Sequence, residues 1–206
     1  MMGPSEPPAD PGSEPGPEPA PEPGVRLVDG TFAIDDLDAF LDDLDGIAAE
    51  TGAVVQAFDA ELAVSATQLR EATRLAARAI ARGEAVARDP GVEILLYAAG
   101  RRQIDRALEL GVSAGERRAI VVVADFGDVS GPDRQFADLD DAVEAVAGLA
   151  DADESAVVVA EDLLDHEFDA DRVREFYGVT DRELAATNGD LTDVVRERVA
   201  LLDVEK

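Results

Sequence analysis

Residues 119–126 read AIVVVADF. Six consecutive apolar residues, four of them β-branched, form the clearest strand in the chain, and a strand with no polar alternation belongs in the middle of a sheet. Working back from it, Ala53–Asp59 (AVVQAFD) reads as a buried strand, Glu61–Val64 as its possible hairpin partner and Val25–Val28 as a short strand. Ala156–Ala160 (AVVVA) fits strand or helix by periodicity alone.

Helices fill the intervals. Ile34–Glu50 carries Ile34, Leu37, Leu41, Leu44 and Ile47 at helical spacing on an otherwise acidic surface, so the apolar stripe is core and the aspartates are solvated. Ser65 and Gln68 form a capping box that opens a helix running to Arg82 and stopping at Gly83. Asp89-Pro90 caps GVEILLYAAG, and Arg101–Leu110 makes a further helix ending at Gly111. Beyond Phe126, Ala137–Leu149, Arg172–Tyr177, Asp181–Ala186 and Leu191–Leu202 are helical. The fold class is α+β: a small, mostly antiparallel sheet covered by helices, in a single domain over residues 25–206. Residues 1–24 hold nine of the eleven prolines and five acids, with almost nothing to bury, which is the composition of a disordered tail.

Net charge is −28, and 17 of the 18 basic residues are arginine. This pairing is typical of soluble proteins from salt-saturated cytoplasm, where self-repulsion is screened within roughly 3 Å. The acidity therefore reads as solvation rather than as a ligand site. Absence of cysteine excludes disulfides, thiolate catalysis and Cys-ligated zinc. No apolar run approaches the roughly 18 residues of a membrane helix, and the N-terminus lacks a signal-peptide core, so a cytoplasmic protein without membrane contact is expected.

Against this background one segment stands out. Residues 70–118 carry ten arginines against seven acids, net +3, where an anionic partner is expected. Arg70, Arg74 and Arg78 recur at i, i+4 with only Glu71 as a counter-charge inside the helix. Like charges at that spacing are tolerated by a helix rather than favoured by it. The ladder is either a solvated face paired with acids elsewhere in the fold or a contact for phosphate. Arg101 and Arg102 fall in the expected first turn of the third helix, where free N–H groups already favour an anion. Tyr97, one turn before, is either core or a platform for a base.

Catalytic patterns fail on context or inventory. Residues 111–115 spell GVSAG, a formal nucleophile elbow around Ser113, with His166 downstream as the only imidazole. The elbow needs a strand before the serine and a helix after it, whereas here the order is reversed. Lys206 is the only lysine, so no Walker A motif exists, and the aspartates around Gly46 lack the end ligands of a calcium loop. A single histidine cannot assemble a His-based metal site, and no cofactor is expected.

Residues 53–112 contain QAFDA at 56–60, TQLREA at 67–72 and RGEAVARDPGVEILLYAAGRRQI at 82–104, and RERVALL lies at 196–202. In these stretches the chain resembles the kinase-binding subunit of the KEOPS complex in its archaeal form. The resemblance implies a non-catalytic subunit that binds the N-lobe of a small atypical kinase/ATPase and, through it, joins the threonylcarbamoyl transferase subunit. It also implies a grip on the single-stranded 3′ CCA end of tRNA, in support of threonylcarbamoyladenosine formation in ANN-decoding tRNAs. Carried onto this chain, the tRNA-facing residues are Arg70, Arg74, Arg78, Arg101, Arg102 and Gln103, and the kinase-facing residues are Leu191, Val194, Val195, Val199 and Leu202. Members of the family often have His before the leucine that opens the helix, where this chain has Gln68. Two other readings stand beside it: a serine hydrolase using Ser113 and His166, and a protein-only adaptor whose arginines pair internally.

Overall fold

The computed structural model describes residues 22–127, 136–150, 157–159 and 167–204. Among these residues four strands, β1 (Gly24–Ile34), β2 (Val54–Asp59), β3 (Gly115–Asp125) and β4 (Val157–Val159), form one sheet in the order β2-β3-β1-β4, with every pairing antiparallel. The helices are α1 (Leu37–Thr51), α2 (Ala66–Ala81), α3 (Pro90–Ala98), α4 (Ile104–Ala107), α5 (Leu139–Ala147), α6 (Ala170–Tyr177), α7 (Asp181–Ala186) and α8 (Leu191–Leu202).

The unbroken apolar run of β3 has a direct cause. Ala119, Val121 and Val123 face a core shared with α1 and α5, while Ile120, Val122 and Ala124 face a second core shared with α2, α3, α6 and α8. Each buried Val or Ile contributes about 1.5–3 kcal/mol relative to exposure in water. Because helices cover both faces, the central strand has no solvated side on which polar alternation would appear.

Several expectations are corrected. β1 is eleven residues long rather than four, because Asp29-Gly30 is carried through the ladder opposite Ile120 and Ala119. Its polar member is held by Arg118, whose Nε and Nη2 donate to the two Asp29 carboxylate oxygens at 3.0 and 2.9 Å. Glu61–Val64 is a turn, in which the amides of Leu62 and Ala63 both donate to the Asp59 carbonyl. Leu41, expected in the core stripe, is 41% exposed; α1 buries Leu44, as expected, and Phe40. The expected third helix is only the four residues of α4, continued by a 3-10 turn over Leu108–Leu110, so Arg101 and Arg102 precede it instead of occupying its first turn. Gly24, taken as the end of the tail, already pairs with Asp125; residues 1–21 lie outside the described residues.

Candidate functional site

Helix α2 begins at Ser65, whose Oγ accepts the Gln68 amide at 3.1 Å. The second half of the expected capping box is absent. Gln68 turns inward, is fully buried, and its Oε1 accepts the Val64 amide at 2.8 Å. Its amide nitrogen donates to the Ala98 carbonyl at 3.0 Å and to the Tyr177 hydroxyl at 2.7 Å, tying α2 to α3 and α6. The face of α2 carrying Leu69, Ala72, Leu75, Ala76 and Ala79 is buried, which leaves Arg70, Arg74 and Arg78 in a half-buried row on the other side.

All three arginines of the row have acceptors within the chain. Arg70 Nη1 donates to the Val25 carbonyl at 3.2 Å, and Arg74 makes a two-point contact with Glu71 at 2.9 and 2.6 Å. That hydrogen bond draws the Glu71 carboxyl below its ordinary value. Arg78 pairs with Asp203, just past the end of α8. Between α2 and the start of β1 there is a cleft of about 290 Å³ whose lining includes Arg70 and Arg74 together with the carboxylates of Glu22 and Glu71.

The connection from α3 to α4 approaches the same end of α8. Gly100, at φ +61°, sits where a Cβ would lie 3.1 Å from Arg198 Cβ, so the turn packs directly on α8. Arg102 Nη2 donates to the Leu202 carbonyl at 2.8 Å. Tyr97 is core, 1% exposed, and offers no face to a base; its hydroxyl lies 3.5 Å from Asp203 Oδ1. Burial, and then the charge of Asp203, push that hydroxyl up to about 12. Arg101 turns elsewhere. It donates to the carbonyls of Ala99 and Phe176 and lies 4.4 Å over the Phe176 ring, which anchors the connection to α6. Gln103 is exposed at the start of α4 without a side-chain cap. Arg78 and Arg102 are thus brought together at the end of α8, Arg70 and Arg74 share the cleft beside β1, and Arg101 belongs to neither group.

Residues 39–203 match the family model for Kinase binding protein CGI-121. The chain belongs to the CGI-121 kinase-binding protein family. The match runs from α1 to Asp203 and so covers both helical layers and the arginine row. Among curated proteins, none matches the chain.

Helix α8 carries the residues that the resemblance assigns to the kinase. Val194, Val195, Val199 and Leu202 are buried in this chain's own core with α2, α3 and α6, leaving them no surface for a partner; Leu191 is half-buried against the same core. The large apolar side chains that α8 and its following turn expose are Leu201, 45%, and Val204, 75%. A larger groove of about 690 Å³ lies between α1, the edge strand β2 and the start of α3, with Leu41 and Leu108 on its walls.

Ser113 sits in the loop between the 3-10 turn and β3, with its Oγ accepting Arg117 Nε at 3.1 Å, and His166 lies outside the described residues. Among the described residues no cluster of His, Asp or Glu could hold a metal ion, and no helix is long and apolar enough to cross a membrane. Reading the sequence alone missed Asp203, Phe176 and Glu93. Buried Glu93 accepts the amides of Val86 and Ala87 at 3.0 and 2.8 Å and so holds the α2–α3 loop. A charged residue inside the apolar helix PGVEILLYA was the available signal.

Proposed function

We propose that this chain is the non-catalytic kinase-binding subunit of a KEOPS-type complex. It binds the small atypical kinase/ATPase and holds the single-stranded 3′ CCA end of tRNA, in support of threonylcarbamoyladenosine formation in ANN-decoding tRNAs. Such a subunit works in the cytoplasm. The family match over residues 39–203 carries the kinase half of the reading. The arginine row beside an open cleft supports the RNA half. With four of the α8 residues interior, the kinase face consists of Leu201 and Val204, two exposed apolar residues one turn apart.

A second reading keeps the kinase and drops the RNA. It is favoured by the acceptors that Arg70, Arg74 and Arg78 already have within the chain. Co-purification with the kinase and with tRNA at high salt separates the two. Arg70→Glu with Arg74→Glu lowers retained tRNA and leaves the kinase bound if the first reading holds; unchanged tRNA retention leaves only the adaptor.

A further inference from the structure

Asp203 is badly placed for its own helix. It caps the C-terminus of α8, where backbone carbonyls carry partial negative charge, and the last turn of α8 contains no basic residue. What holds it is the opposite wall. Arg78 reaches it from α2, Tyr97 Oη lies 3.5 Å from it on α3, and Arg102 from the α3–α4 connection grips the carbonyl of the preceding residue. Donors from three elements that the sequence brings together from positions 78, 97 and 102 thus converge on the oxygens of residues 202 and 203.

The fit is incomplete in an informative way. Arg78 engages Asp203 through Nη2 alone, while its Nε is buried and has no hydrogen-bond partner among the described residues. A guanidinium edge presents Nε and Nη as a parallel pair, which a phosphate satisfies with two of its oxygens. The pair is also shielded, with side-chain exposures of 27% and 10%, so removing the carboxylate leaves a cation that seeks another anion. Releasing Asp203 does not open the core. Val204 beyond it is 75% exposed, and the core anchor is Leu202 before it.

We propose that Asp203 stands in the place of a phosphodiester oxygen: single-stranded RNA displaces its carboxylate from Arg78 and loosens the turn that ends α8. This rests on the RNA-binding reading above and adds the chain's own competitor for the site. The turn at Asp203 lies between Leu201 and Val204, so the displacement acts at the edge of the proposed kinase face.

The test uses the full chain, a 5′-labelled single-stranded RNA ending in CCA, and a fixed salt concentration. Asp203→Asn keeps the shape and removes the charge. It tightens RNA binding by about tenfold, the equivalent of one charge-assisted contact. Arg78→Gln weakens binding and abolishes the gain when combined with Asp203→Asn. Wild-type protein gives an independent readout: RNA speeds hydrogen exchange at the Asp203 and Val204 amides, both bonded to the Leu201 carbonyl. Equal or weaker binding by Asp203→Asn at an unchanged melting temperature overturns the proposal, as does exchange that RNA leaves unchanged or slows. If Asp203→Asn lowers the melting temperature, the wild-type exchange result decides. If wild type and variants all fail to bind RNA, the RNA half of the proposed function falls with it, while co-purification of the kinase is judged separately.

Discussion

The side chains of Gln68 and Tyr177, 109 positions apart in the chain, meet at 2.7 Å inside the core, and both donate to the carbonyl of Ala98. Gln68 uses its oxygen and both amide hydrogens here, and the network closes with every member satisfied. Tyr177→Phe strands one Gln68 hydrogen at a fully buried position, which costs about 1–3 kcal/mol. Gln68→Ala also strands the Val64 amide and opens a cavity, so it costs more, about 2–5 kcal/mol. Chemical denaturation of both variants measures this; a Gln68→Ala midpoint equal to wild type contradicts the network.

Both tyrosines of the chain resist ionisation. Burial pushes the hydroxyl of Tyr177 far above its ordinary 10.0, and burial with the nearby Asp203 charge lifts Tyr97 to about 12. A raised folded-state pKa means that above pH 10 the unfolded chain binds fewer protons than the folded one, so stability falls as pH rises from about 10 towards the folded values. Absorbance at 295 nm should stay flat through pH 10 and rise only with cooperative loss of near-ultraviolet circular dichroism. A gradual rise centred at pH 10 in the folded protein would show at least one exposed ring.

How far the sequence could be read depends on the distance over which each signal acts. The apolar run of β3 and the periodic helices α7 and α8 are local patterns, and their reading agrees with the structure to the residue for α7 and α8. Val25–Val28 is only part of β1, because Asp29-Gly30 interrupts the apolar run and Asp29 is held in the ladder by Arg118, 89 positions away. The expected helix Arg101–Leu110, stopped by Gly111, is shorter in the structure because a glycine stop ends a 3-10 turn as well as an α-helix. For the candidate site the arginines were legible, and so was Glu71, the partner of Arg74 three positions away, but the distant partners were not. Asp203 is 125 positions from Arg78, and nothing local to either residue announces the other.

Gly100 and Gly83 separate two effects of adding a methyl group. Both have positive φ, +61° and +69°, a conformation that costs an L residue about 1–2 kcal/mol. At Gly83 a Cβ meets nothing within 4 Å, whereas at Gly100 it meets Arg198 Cβ at 3.1 Å and the Arg198 backbone carbon at 3.4 Å. Gly83→Ala therefore lowers the melting temperature by the conformational penalty alone, about 2–4 °C per kcal/mol for a chain of this size. Gly100→Ala lowers it further because α8 must shift. Equal losses would mean that the α3–α4 turn does not pack on α8.

Burial sorts α8 into residues that hold the fold and residues that can meet the kinase. Val195 is fully buried against α2 and α3, so Val195→Glu places an unpaired charge in the core at a cost of several kcal/mol, and the protein should lose its cooperative melt before any binding question arises. Leu201→Glu and Val204→Glu change exposed positions and should shift stability by no more than about 0.5 kcal/mol. If the end of α8 is the kinase face, these two variants keep a wild-type melt and lose the kinase in co-purification, because a charge is desolvated at the centre of an apolar contact. Leu41→Glu is the control on the far side of the sheet: it alters a residue 41% exposed on the groove between α1 and β2. Loss of the kinase from Leu41→Glu alone, with Leu201→Glu and Val204→Glu binding as wild type does, would move the kinase face from α8 to that groove.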